Sequence, residues 1–278
     1  MRLLVTGARG QLGRALERAV AHAGHEWIGV DLPELDITDR GAVLALVASE
    51  RPHAVINCAA FTAVDAAESQ EAAALAVNGT AVGHLAEAAD AAGAVLVQVS
   101  TDYVFDGESG WAYREDDPVN PLSAYGRTKL AGEREAARAR RHVIVRTAWL
   151  FGEGNNFVEA ILRQVAAGRE ELRVVDDQEG CPTYAEDLGR ALLALVGRGA
   201  TGVFHVVNAG ATTWCGFARE IVRQRSAPVR VTPVSTADMP RPARRPRRAV
   251  LDTSRLQGLL GAALPPWQEA LARYLRGR

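Results

Sequence analysis

Leu3-Leu4-Val5-Thr6-Gly7-Ala8-Arg9-Gly10-Gln11-Leu12-Gly13 decides the reading of the chain. A short apolar run enters glycines spaced G-x-x-G-x-x-G, and these open a helical pattern from about Gln11 to Ala23. A strand that turns this sharply into a helix needs glycine for the turn, for close backbone approach to a pyrophosphate, and for helix–strand packing. The free amides and partial positive charge of the helix start then suit phosphate. Glycine-rich turns that serve packing alone share this spacing, so the neighbouring segments carry the decision.

Outward from that turn, strand-like and helix-like runs alternate. Trp27 to Asp31 reads as a strand and Arg40 to Glu50 as a helix. Ala54 to Cys58 is a strand, Glu68 to Ala92 has helical spacing, and Ala94 to Val99 is again a strand. Ser123 to Arg140 reads as a helix and Val143 to Thr147 as a strand. Strands apolar throughout, separated by helices, predict an α/β fold with a doubly wound parallel sheet covered on both faces. Residues 1–150 are expected to form a dinucleotide-binding domain. After Phe151 the rhythm loosens, with helices at Phe157 to Ala167, Ala185 to Val196 and Pro266 to Leu275, and a strand at Val203 to Val207. Residues 151–278 are expected to form mainly a smaller mixed α/β substrate lobe, with elements of 184–207 returning to the first domain.

Composition excludes several function classes. A chain of 278 residues with a formal net charge of −1 has no global basic field, so nucleic-acid and membrane-surface binding are not expected. No apolar run reaches the ~18 to 20 residues that span a bilayer. Met1 reads straight into the first strand without a leader pattern, and a cytoplasmic protein is expected. Cys58, Cys181 and Cys215 lack C-x-x-C spacing, which argues against a disulfide framework or thiolate metal site.

The candidate cofactor residues are Gly7, Gly10, Gln11, Leu12 and Gly13 in the turn, and Asp31 at the end of the second strand. A carboxylate at Asp31 can accept from an adenosine ribose or cap its own turn. Its charge disfavours a 2′-phosphate, while Arg9 offsets that. Asp36 and Ile37 suit the adenine edge, with loop capping as the other role for Asp36. Ala60, Phe61 and Thr62 follow the third strand, at the carboxyl edge where open sheets bind ligands. Tyr125 and Lys129 share one helix face. A neighbouring ammonium favours phenolate and is expected to lower the Tyr125 phenol toward useful acid strength. Thr101, just after the fourth strand, brings a hydroxyl to the same edge.

Together the glycine turn, Ser100-Thr101-Asp102-Tyr103-Val104-Phe105-Asp106-Gly107 and Tyr125-x-x-x-Lys129 resemble the extended short-chain dehydrogenase/reductase superfamily. Asn57-Cys58-Ala59-Ala60-Phe61-Thr62, Arg146-Thr147-Ala148-Trp149-Leu150-Phe151-Gly152 and Asp177-Gln178-Glu179-Gly180-Cys181-Pro182-Thr183 resemble the dTDP-4-dehydrorhamnose reductase family within it. The resemblance implies a Rossmann-type fold, NADH or NADPH as cofactor, and a dTDP-sugar substrate. It implies that Tyr125 donates a proton to a sugar 4-keto oxygen, Lys129 holds the nicotinamide ribose, and Thr101 orients the carbonyl. It places Thr101, Asp102, Tyr103 and Trp149 on the sugar nucleotide, although an indole at Trp149 also suits a core. Some members of the family dimerise around magnesium held by carboxylates. A homodimer is therefore open, but no ligand aligns in Arg14-Ala15-Leu16-Glu17 and no metal is expected.

The segment from Arg241 to Arg248 carries five arginines, of which most are expected to be solvated, with diphosphate contact as the sharper role. Ala249 stands where the family usually has a serine, which opens a second reading: the same chemistry on another nucleotide deoxysugar. A non-catalytic regulatory subunit, like the reductase-like partner of methionine adenosyltransferase, is the alternative from another class. The Thr101/Tyr125/Lys129 set argues against it.

Overall fold

The computed structural model describes residues 1–277. The first half runs β1 (Arg2–Thr6), α1 (Gln11–His22), β2 (Glu26–Val30), α2 (Arg40–Glu50), β3 (Ala54–Asn57), α3 (Val64–Ala67), α4 (Glu71–Leu75), a π-helical turn (Ala76–Thr80), α5 (Ala81–Ala92), β4 (Val95–Thr101), α6 (Ala124–Ala136) and β5 (His142–Thr147). The second half runs β6 (Leu150–Phe151), α7 (Phe157–Ala166), β7 (Glu171–Val175), β8 (Glu179–Gly180), β9 (Thr183–Tyr184), α8 (Ala185–Gly197), β10 (Gly202–His205), β11 (Thr212–Thr213), α9 (Trp214–Gln224), β12 (Arg230–Val234), α10 (Ser254–Leu260) and α11 (Trp267–Arg276).

Among the described residues the main sheet has six strands in the order β10-β5-β4-β3-β1-β2, each pairing parallel. The doubly wound parallel sheet predicted from the alternation is thus present. Its two faces follow from the period of two along each strand. Leu3 and Val5 of β1 pack with Leu12 and Leu16 of α1 and Leu188 and Leu192 of α8. Leu4 between them faces the opposite way, with Val43 and Val47 of α2 and Val82 and Leu85 of α5. The second half has its own core of Phe151, Val158, Ile161, Phe217, Ile221 and Leu271. Its last strand before that core, β10, pairs with β5 at the edge of the main sheet.

Several elements differ from the sequence expectations. The predicted helix over Glu68 to Ala92 is divided into α4, the π turn and α5, and α3 precedes it. Asn78 accounts for the wide turn. Buried at 1% exposure, it accepts from the Phe61 amide (2.8 Å) and donates to the Phe61 carbonyl (3.1 Å) and Thr128 Oγ1 (3.2 Å). The inserted residue of a π turn aims Asn78 at the loop after β3, and the loop's buried backbone polar groups are satisfied there. Helix α6 ends at Ala136 instead of Arg140, whose amide is taken by Asp90 (2.8 Å). The pairs β6–β9, β7–β12 and β8–β11 and helices α9 and α10 had no counterpart in the sequence reading.

Asn78→Ala leaves both polar groups of Phe61 without their partner. It is expected to lower the unfolding free energy by about 1 to 3 kcal/mol, read as a lower urea midpoint at unchanged slope.

Candidate active site

Adjacent β1 and β3 send their chains to opposite faces, which opens a crevice at the carboxyl edge of the sheet. Beneath it the buried side chains of Thr6, Asn57 and Gln98 form a ladder, Thr6 Oγ1 to Asn57 Oδ1 at 2.6 Å and Asn57 Nδ2 to Gln98 Oε1 at 2.7 Å. The cleft above has a volume of about 870 Å³. Gly7 stands in the left-handed region (φ +65°), and a Cβ there would lie 2.6 Å from the Ala59 nitrogen. A Cβ on Gly13 would lie 2.4 Å from the Ala8 carbonyl oxygen. No side chain caps α1 at Gly10, so the helix start at Gln11 and Leu12 opens on the cleft lined by these residues. This bare, positively polarised cradle fits a dinucleotide pyrophosphate.

Asp31 lines the cleft, and its carboxylate accepts from the amides of Arg9 and Leu32, both at 2.9 Å. It therefore caps the turn while facing the cleft. The Arg9 guanidinium is held by the Leu32 carbonyl and Glu34. Asp36 likewise caps its own turn, accepting from the Thr38 amide (2.8 Å) and hydroxyl (2.7 Å), and these bonds hold its carboxyl below the usual range. Ile37 is buried beside it. Ala60, Phe61 and Thr62 form the facing wall.

The catalytic candidates converge from two elements. Thr101 is the last residue of β4, two residues beyond the expected strand end, and its hydroxyl donates to Asp102 (2.9 Å). Helix α6 starts at the Ser123 hydroxyl, which accepts from the Gly126 amide (3.1 Å), while Glu68 accepts from Ala124 (2.8 Å). That start places Tyr125 in hydrogen-bond contact with Thr101, with the Tyr103 ring edge-on at 5.5 Å. Lys129, one turn later, donates to the Val99 carbonyl (2.6 Å). Desolvation dominates the electrostatics here. Burial pushes the Asp102 carboxyl up to about 7 and the Lys129 ammonium down to about 8. Burial and then the Asp102 carboxylate push the Tyr125 phenol up to about 12, against the hydrogen bond with Thr101. The expected lowering of the phenol by Lys129 is not met in this geometry, because the ammonium is engaged on Val99.

The profile of the RmlD substrate binding domain matches residues 1–277. The chain belongs to this family. It is 47% identical to a dTDP-4-dehydrorhamnose reductase of Streptomyces griseus, over 97% of this chain and 91% of the relative. It is 44% identical to a probable dTDP-4,6-dihydroxy-2-methyloxan-3-one 4-ketoreductase of Streptomyces antibioticus, over 98% and 93%. The crystal structure of a dTDP-4-dehydrorhamnose reductase from Bacillus anthracis in complex with NADP superposes with a TM-score of 0.96 at 37% identity, over 100% of this chain and 99% of the other.

In this member of the RmlD family the far wall of the cleft is aromatic. Trp149 sits in the left-handed region (φ +44°), stacked on Trp214 with centroids 3.5 Å apart and planes at 7°. A Cβ on Gly180 would lie 2.6 Å from the Trp149 ring, so glycine is what admits the indole there. Both tryptophans line the cleft. Trp214 was missed by the sequence reading; Thr213, whose hydroxyl accepts from the Gly216 amide, was its available signal as a helix cap. Of the five arginines in the basic segment, Arg241, Arg244 and Arg247 are exposed. Arg245 pairs with Asp65 (3.1 Å) and Arg248 with Glu179 (2.8 Å), pinning the segment beside Tyr103. Cys58 follows β3 at the cleft wall, with its thiol pushed up to about 12 by burial.

A carboxyl whose folded pKa is raised binds its proton more tightly in the native state. Stability held by Asp102 is therefore present below its unfolded value of 3.8 and declines as pH rises through about 7. Asp102→Asn removes that dependence. Urea midpoints of the wild-type protein are expected to fall relative to this variant between about pH 4 and pH 7.

Proposed function

We propose that this chain is an NADH- or NADPH-dependent 4-ketoreductase that converts dTDP-4-dehydro-L-rhamnose to dTDP-L-rhamnose. One observation carries it: Thr101, Tyr125 and Lys129 meet in the same cleft as the glycine turn, in a chain aligned nearly end to end with reductases named for this reaction. Bound reduced nicotinamide supplies the hydride. Gly7, Gly10, Gln11, Leu12 and Gly13 take the pyrophosphate, Asp31 the adenosine ribose, and Asp36, Ile37, Ala60, Phe61 and Thr62 the walls around it. Residues 1–150 thus serve the cofactor and 151–278 mainly the sugar nucleotide.

A reduction needs its acid protonated at the start. Burial keeps the Tyr125 phenol protonated at neutral pH, so it can donate to the 4-keto oxygen, while Thr101 fixes the direction of that bond. The Lys129 ammonium offsets the developing phenolate and reaches the ribose by leaving Val99. Asp102, Tyr103 and Trp149 contact the sugar nucleotide.

Ala249 and the 44% identity to the 4-ketoreductase of Streptomyces antibioticus favour a second substrate, another dTDP-deoxysugar reduced by the same residues. Purified protein with either nicotinamide cofactor and a panel of nucleotide 4-keto sugars decides between them. Loss of the nicotinamide absorbance reports turnover, and NMR of the product identifies the sugar. No turnover on any of them returns the chain to the regulatory reading.

Tyr125→Phe is expected to lose about 10²- to 10⁴-fold in kcat while binding cofactor normally; turnover near wild type removes the proton donor from this position. Trp149→Ala is expected to lower kcat/KM for the keto sugar while leaving cofactor affinity unchanged. A core role predicts instead a loss of about 3 to 5 kcal/mol in stability with normal turnover of the folded fraction. Thermal denaturation beside substrate kinetics separates these outcomes.

A further inference from the structure

Glu133 takes no part in the reaction described above, yet it lies 5% exposed within a charged cluster behind it. It stands one helical turn beyond Lys129 on α6, so the two side chains are neighbours on one face. Arg146 of β5 grips it in a fork, Nε to Oε1 at 3.0 Å and Nη2 to Oε2 at 2.8 Å. Ser100, the residue before Thr101, donates to Oε1 at 2.5 Å. Arg146 is itself 5% exposed, donates to the Glu115 carbonyl (3.1 Å), and lies over the Phe105 ring at 5.0 Å. The carboxylate thus joins the ends of β4 and β5 to the helix that carries Tyr125 and Lys129.

A buried ion pair alone is weak evidence of anything beyond packing, because desolvation consumes much of its attraction. What distinguishes this pair is the third charge beside it. Lys129 is 3% exposed, and a buried ammonium tends to lose its proton unless a carboxylate lies close. From β3 it faces the Cys58 thiol, which burial keeps protonated. After β4 stands the Asp102 carboxyl, and on its own helix Tyr125. Glu71 of α4 is engaged by Arg127 (2.8 Å), and Glu68 by the Ala124 amide. Glu133 is the carboxylate that raises Lys129, against the burial that lowers it.

We propose that Glu133 is a positioning residue of the reduction: clamped by Arg146 and Ser100, it keeps the Lys129 ammonium charged and presented to the cofactor cleft. This rests on the reductase reading for its consequence in turnover, but not for its electrostatics. Arg146 holds the carboxylate still through both oxygens. Ser100 sets the height of the carboxylate relative to Thr101, so a single group registers both sides of the catalytic edge.

The experiment uses the unloaded full chain labelled with ¹³C at lysine Cε, whose shift reports the titration of Lys129. The wild-type resonance, assigned by its loss in Lys129→Met, is expected to titrate at about 8. Glu133→Gln is expected to lower that midpoint by about one pH unit, and Glu133→Asp to restore most of it. Glu133→Gln leaves Arg146 without its partner, so the neutral pair E133Q/R146M, in which no guanidinium is left unpaired, is measured beside it. Its midpoint falls by less, because removing Arg146 offsets part of the loss. With both cofactors, the alkaline limb of kcat/KM and the pH at which the cofactor dissociation constant rises are expected to follow the midpoint in each variant. Above that pH, KM for the cofactor rises about three- to tenfold, and kcat falls with it because the same ammonium offsets the developing phenolate. A midpoint equal to wild type in Glu133→Gln, or one in E133Q/R146M no lower than in Arg146→Met, overturns the proposal and leaves Glu133 as packing. Absence of reduction by the wild-type protein overturns the reductase reading instead, and the Lys129 titration still decides the role of Glu133.

Discussion

The divergence of β1 from β3 is the constraint from which the rest follows. Two parallel neighbours whose chains leave toward opposite faces cannot be bridged by their own connections, so the carboxyl edge between them must stay open. The polar ladder of Thr6, Asn57 and Gln98 satisfies the groups buried below that opening. Above it, Gly7 passes so near Ala59 that a single Cβ would part the strands. The close approach leaves the first turn of α1 facing the cleft with its amides open, which is a property of the strand spacing before it is a property of any ligand. Phe61 on the facing wall is fixed by Asn78, so both sides of the opening are set by backbone geometry.

Burial then decides the chemistry. The same withdrawal from water raises Asp102 and Tyr125 and lowers Lys129, each toward its uncharged form. A protonated phenol is the resting state of a proton donor, whereas an uncharged lysine would be the wrong state for holding a ribose. The site therefore calls for a carboxylate near the lysine, whereas the Asp102 carboxyl beside the phenol reinforces its protonated form. Glu133 and its Arg146 clamp lie on the lysine side, away from Tyr125, in keeping with that asymmetry.

The sheet and the cofactor turn were legible because their determinants are local. Apolar runs of four to six residues, glycines at three-residue intervals and Tyr125 four residues before Lys129 all sit within one element or one junction. The π turn at Ala76–Thr80 was not legible, since its cause is a side-chain bond from Asn78 to Phe61, seventeen positions away. The short pairs β6–β9 and β8–β11 have two residues in each strand, too few for any period to register. The shift of the Tyr125 phenol was misread for a related reason: spacing shows that Lys129 shares its face, but not that Val99 takes the ammonium or that Asp102 lies beside the ring. Trp214 escaped because its importance comes from Trp149, sixty-five positions earlier, and from a stack that no helical pattern announces.

The second half is anchored away from the cleft. Asp187 on α8, 5% exposed, accepts from Arg273 of α11 (2.9 Å) and from Asn208 (2.7 Å). The Tyr274 hydroxyl donates to the Gly152 carbonyl (2.8 Å). These buried bonds fix the lobe against α8, whose other side packs on α1 and hence on the cofactor turn. At the opposite end, the wall is made by Trp149 in a backbone conformation unfavourable for a bulky residue and by Trp214. Strain held in a bulky side chain persists where the surroundings over-determine it, and here Gly180 and the stacked indole do so. A fold divided this way can change its aromatic wall without disturbing the edge that carries Thr101, Tyr125 and Lys129.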